Sequence, residues 1–132
     1  MATQYVAGVC NINRAEIHFR RNIGHVSLIL SLVLIALLAY FHARISPWLG
    51  LITVLTLCIA ATGYMQAQAK FCVGHAMAGT QRANDNTNTS TKVSNANDAA
   101  KDKARARTMN IQSTLLGLTG GIIISLSLYL AN

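Results

Sequence analysis

Four of the seven Cys and His side chains in this 132-residue chain, Cys10, His18, Cys72 and His75, flank the same end of its apolar hairpin and are of types that bind metals or act as nucleophiles. Thiolate and imidazole are the ligands zinc prefers, and Cys72-Val-Gly-His75 has the spacing of half a site. Cys10 has no close partner in sequence, so the other half would need residues brought together from afar. Cys72 with His75 as its base, three residues on, lacks a third group to orient the pair for nucleophilic catalysis. The plainer reading is reduced thiols and interfacial histidines. The sequence therefore assigns no metal, and leaves Cys10, Cys72 and His75 as candidates for a metal or thiol redox site. A Cys10–Cys72 disulfide would require the opposite topology or an oxidising compartment. Cys58 lies inside an apolar run and reads as a small packing residue.

Other chemistries fare worse. There is no glycine-rich phosphate loop, no GxSxG and no HExxH, and with four acidic residues in all, paired carboxylates for acid–base work are missing. The expectation is a chain that is not an enzyme and needs no cofactor. A transporter would place an ionisable group at membrane depth. The three long apolar runs hold no Asp, Glu, Lys or Arg, and His25 stands one turn from Arg21.

Those runs set the architecture. Asn22 to Phe41 and Ile45 to Ala69 each meet the roughly 20 residues a spanning helix needs, and the break at His42-Ala43-Arg44 forces them antiparallel. A charged fraction of 11% is well below the roughly 25% of water-soluble domains. The predicted fold is an all-α integral membrane protein with three transmembrane helices, a hairpin and a C-terminal helix. Residues 1–21 form an N-terminal segment with a short interfacial helix, 22–71 the hairpin, 72–108 a polar loop and 109–132 the third span. Phe41 stands where a signal-peptide cleavage site would need a small residue, so the first run reads as a retained helix.

Local signals refine this outline. Asn13 with Glu16 three residues later has the capping-box form, and Glu16 can pair with Arg20 one turn on. Ser46-Pro47 suits a helix start. Arg20 and Arg21 on one side, and Tyr40, Trp48 and Tyr129 on the other, read as interfacial anchors. Residues 80–108 are rich in Asn, Thr, Ser and Lys and should be disordered by themselves, except that Asn97 to Arg107 suits an outward extension of the last helix. Asn88-Thr89-Ser90 matches a glycosylation sequon, which chance explains in so Asn-rich a tract.

Ser113, Gly117, Gly121 and Ser125 recur every four residues along the third run, a stripe that permits close helix association. Gly63 and Ala67 offer a similar face on the second run. The stripe could meet other subunits, or simply pack against Gly63 and Ala67 within the chain.

Charge gives orientation. The net charge of +7 comes from eleven basic residues, of which Arg44 alone lies at the hairpin turn. By the positive-inside rule the N-terminus and the long loop are cytoplasmic, in a plasma membrane of bacterial type. This distribution is a topology signal, so nucleic acid is not an expected partner. The expected partners are the bilayer, other membrane subunits and a second copy of the chain. The function expected is that of a non-catalytic accessory or structural subunit of a larger membrane complex, the alternative being the Cys10, Cys72, His75 site.

Overall fold

The computed structural model describes residues 4–40, 47–83 and 89–130; the side chains of Pro47, Ser125, Leu128 and Tyr129 lie outside the description. The expectations for the turn at 41–46, for Asn88, and for Ser125 and Tyr129 as packing and anchoring side chains therefore fall outside the described residues. The chain is mostly helical, with α1 (Arg14–Tyr40), α2 (Pro47–Ala69), α3 (Val73–Ala78) and α4 (Ala96–Leu130), and a minimal hairpin of β1 (Thr80–Gln81) and β2 (Thr91–Lys92). α1 and α2 are each long and apolar enough to cross a membrane.

α1 is one continuous helix of 27 residues, about 40 Å long, so the short interfacial helix expected before Asn22 is its first two turns. Asn13 caps it, its Oδ1 accepting from the Glu16 N–H at 3.0 Å. The reciprocal half of the capping box gives way to a stronger bond, because the Glu16 carboxylate turns to Arg20 and Arg82. α2 ends at Lys70, a non-glycine residue in the left-handed region at φ 54°. There Phe71 N–H reaches the Gln66 carbonyl and Lys70 N–H the Ala67 carbonyl, the paired bonds of a Schellman stop.

α2 is the central helix. Gly63 lies against the Gly24 backbone of α1, where a Cβ would meet Gly24 N at 2.8 Å, and further along Ser31 Oγ donates to Thr56 Oγ1 at 2.7 Å. α4 crosses the other side of α2. A Cβ on Gly117 would come within 2.6 Å of Cys58 Cα, and one on Gly121 within 2.5 Å of Val54. Both pairings run antiparallel, which sets α1 and α4 parallel to each other. The seams are small or hydroxyl residues and the outward faces are large aliphatics such as Val26, Ile29, Leu115 and Ile122. This inverts the usual arrangement in water and matches packing in lipid.

The third-run stripe is thus used inside the chain, and its partners are Cys58 and Val54 rather than Gly63 and Ala67. Gly63 serves α1 instead. Ala67 is buried. The stretch expected as a polar loop is also more ordered than its composition suggests. α3 packs on α4, the β hairpin closes the connection, and α4 begins at Ala96, where Asn95 Oδ1 accepts from Asn97 N–H at 2.9 Å. The resulting helix of 35 residues is about 52 Å long, and its first turns stand clear of the hairpin to support a cap.

Candidate functional site

The cap covers the open end of the α1–α2 hairpin, where the sequence concentrates its charge and its candidate ligands. Its core is Phe71, Ala76, Ala106 and Met109, all buried, with Met65, Ala69 and Val73 packed around them. Phe71 is placed by the left-handed Lys70, which turns the chain sharply off α2. The same turn presents the Lys70 carbonyl to Asn11 N–H at 3.2 Å.

Asn11 then locks the lead-in to α1 against the exit from α2. Its Oδ1 accepts from Cys72 N–H at 2.6 Å and its Nδ2 donates to the Cys72 carbonyl at 3.0 Å, with Asn11 fully buried. The Asn11 carbonyl accepts from Arg82 N–H at 2.8 Å, and Ile12 and Arg82 form a parallel bridge. All four hydrogen-bonding groups of one residue are therefore engaged, tying the N-terminal segment to both sides of α3.

Beside this lies a charged cluster. Glu16 sits between two guanidinium groups, 2.6 Å from Arg82 Nη1 and 3.4 Å from Arg20 Nη2, and Arg20 Nη2 also points at Cys72 Sγ at 3.2 Å. Arg20 is thus bonded into the cap; Arg21 is exposed. On the far side Asp102, fully buried, receives the Tyr5 hydroxyl at 3.0 Å and Gly8 N–H at 2.6 Å. Gly8 reaches it from a turn with φ 72°, open to glycine at little cost. Burial and then the bond to Asp102 push the Tyr5 phenol up to about 12.

The candidate ligands are drawn to the cap without being gathered into a site. Cys10 and Cys72 are both buried thiols with no disulfide, Cys10 Sγ lying 3.7 Å from the Ile12 carbonyl. His75 pairs its Nδ1 with Thr80 Oγ1 at 3.0 Å, and His18 is exposed. Burial lowers the His75 pKa; Glu16 raises it, and Arg82 and Arg20 lower it further. Among the described residues, no three His, Cys, Asp or Glu side chains are placed to hold a metal ion. The chain matches no family model, no curated protein and no solved structure. Its own geometry is what bears on its function.

Chemically, most of the cap's polar side chains are committed to internal pairs. Its donors and acceptors bond to one another across elements far apart in sequence, an arrangement that fixes shape. Tyr5, Asn11, Arg82 and Asp102 do not stand out in the sequence as site residues. Asp102 carries a readable signal, because the small-residue stripe continues backward from Ser113 through Met109 and Ala106 onto it. Tyr40 and Trp48, the expected anchors at the turn, are exposed.

Proposed function

We propose that this chain is a three-span membrane protein with its cap in the cytoplasm of a bacterial-type cell, acting as a non-catalytic accessory subunit of a larger membrane assembly. The observation that carries this reading is the cap itself. Its chemistry-bearing side chains, Asn11, Glu16, Arg20, Asp102 and His75, are committed to bonds that hold the fold. A rigid end piece on a compact bundle suits a part that presents a surface to neighbours.

The way it would associate differs from the expectation of a small-residue face. Gly117, Gly121 and Gly63 are used within the chain, so contacts with other subunits would use the aliphatic faces of α1 and α4 and the exterior of the cap. α4 lies antiparallel to α2 along its apolar half, which supports counting it as the third span. The basic residues that orient the chain, Lys70, Lys92, Lys101, Lys103, Arg105 and Arg107, are exposed on the cap side.

Extraction in mild detergent, followed by native sizing and mass spectrometry of what co-purifies, tests the assembly. A monodisperse single chain with no companion protein, under conditions that preserve other membrane complexes, would overturn it. Topology needs a reporter other than the native thiols, because Cys10 and Cys72 are buried and would resist an impermeant label on either side. A Lys92→Cys variant supplies one, and labelling in intact cells would reverse the proposed orientation.

A further inference from the structure

The helix seams fix a common level for residues on three helices. Gly24 with Gly63 and Ser31 with Thr56 share one antiparallel register between α1 and α2, and Gly117 with Cys58 and Gly121 with Val54 share one between α4 and α2. Extended to the cap-side ends of the helices, these registers set Arg21 level with Gln66, Arg107 with Gln68 and Arg105 with Lys70. Arg21, Lys70, Arg105 and Arg107 thus form a belt about 6 Å deep. All four are exposed. Arg105 and Arg107 stand on either side of buried Ala106, about 200° apart around α4. The belt therefore runs around the bundle, and does not form the single stripe that a linear polyanion would follow.

Charge and height decide what meets it. Glu16 is held by Arg20 and Arg82, Asp98 by Lys101, and Asp102 by Tyr5 and Gly8. No salt bridge among the described residues involves any of the four belt residues. At the other end of the bundle the same register brings Tyr40 within one residue of the level of Trp48, and both are exposed. From Trp48 to the belt is about 27–33 Å along α2, the thickness of one ~30 Å hydrocarbon core. Between those two levels the three helices carry no Asp, Glu, Lys or Arg. The belt stands where lipid phosphates would.

We infer that this belt binds the phosphates of anionic glycerophospholipids in the cap-side leaflet, gathering a shell of them around the bundle. The aliphatic stems of the Arg and Lys side chains cover apolar surface while their charged heads reach the phosphates. A zwitterionic lipid carries its own cation to the same level and leaves the belt's charge in place, whereas an anionic lipid neutralises it. Each basic side chain at such a surface favours the anionic lipid about fivefold. The inference deepens the membrane placement proposed above and rests on it.

Tryptophan quenching by brominated lipid tests this in the full chain, reconstituted in vesicles of equal parts phosphatidylglycerol and phosphatidylcholine with dibrominated chains on one lipid or the other. Wild type reports the turn-side leaflet through Trp48, its single tryptophan. Trp48→Phe with Ile111→Trp reports the cap side, from an exposed position one turn below Arg107. At that position phosphatidylglycerol should be favoured about fivefold over phosphatidylcholine. In about 1 M salt, where the screening length falls to ~3 Å, the preference should drop toward one. Adding Arg21→Gln, Lys70→Gln, Arg105→Gln and Arg107→Gln should have the same effect. At Trp48, with Arg44 alone nearby in sequence, the preference should be weaker and should not respond to those four substitutions. Equal quenching by the two lipids on the cap side, a preference as strong at Trp48, or one that survives the four substitutions would overturn the inference. Failure of the membrane placement is separately visible, because neither tryptophan would then be quenched by either lipid.

Discussion

The side-chain amide of Asn11 bonds both backbone groups of Cys72, accepting from its N–H at 2.6 Å and donating to its carbonyl at 3.0 Å. It pairs with the Cys72 backbone as a neighbouring strand would. Both residues are buried, so removing the amide strands two backbone groups at once. Asn11→Ala should destabilise the cap by roughly 2–4 kcal/mol. Asn11→Asp should come close to the same loss, because it keeps the acceptor, loses the donor and introduces a buried charge. Thermal unfolding in detergent, with hydrogen exchange followed at residues 4–13 and 70–83, measures both. A loss below ~0.5 kcal/mol for Asn11→Ala would show the pairing to be dispensable.

Glu16 joins the start of α1 to the strand end at Arg82, and its side chain is 12% exposed. Glu16→Gln keeps the shape, removes the charge between two guanidinium groups, and should cost roughly 1–3 kcal/mol. The paired variant Glu16→Gln, Arg82→Gln should recover part of that, since it relieves the repulsion between Arg20 and Arg82. A double-mutant cycle on unfolding free energies reads the coupling. Strict additivity would mean that the Glu16–Arg82 contact does not link the two elements energetically.

Two groups of the cap give it a stability plateau in pH. The Tyr5 phenol is raised from 10 to about 12 in the fold, first by burial and then by Asp102. A raised value means the folded state holds its proton longer, so this contribution is complete below pH 10 and is lost as pH rises toward 12. His75 is lowered from 6.5, chiefly by burial, so its contribution is present above pH 6.5 and is lost as pH falls below it. Unfolding temperature should therefore fall on both sides of about pH 6.5–10. Tyr5→Phe should flatten the alkaline flank and His75→Gln the acid flank, each leaving the other in place. A variant profile parallel to wild type would remove the assignment.

How much of this is legible in the sequence depends on the range of the interaction. The two apolar runs and the Asn13 cap are local signals, fixed by hydropathy over one helix or by contacts three residues away, and α1 and α2 follow them. The start of α4 is readable for the same reason, in the Ala- and Lys-rich composition around Ala99 and Lys101. The cap is not. Polarity alone makes residues 72–95 a loop, yet α3 and the β hairpin are held by partners such as Asn11 and Ala106 that lie far off in sequence. Arg82 shows the limit most plainly: the Glu16–Arg20 pair is local and readable one turn apart, whereas Arg82, 66 residues from Glu16, reaches the same carboxylate only through the fold.

The helix seams permit one further separation, between glycines that a close approach requires and glycines that it does not. On Gly117 an added Cβ would fall 2.6 Å from Cys58 Cα and 2.9 Å from Cys58 N, backbone atoms that can yield only if the helices part. On Gly120, one turn face away, nothing lies within 4 Å. Gly117→Ala should cost about 1–3 kcal/mol by forcing α4 off α2. Gly120→Ala should be neutral or stabilising by up to ~1 kcal/mol through helix propensity alone. Gly63→Ala, whose Cβ would meet the Arg20 carbonyl at 2.8 Å, should behave like Gly117→Ala while acting on the α1 seam. Since the two seams lie on different faces of α2, the Gly63 and Gly117 losses should add. Unfolding of wild type, the three single variants and the Gly63→Ala, Gly117→Ala double variant in one detergent decides it, and equal stability of Gly117→Ala and Gly120→Ala would place α4 away from Cys58.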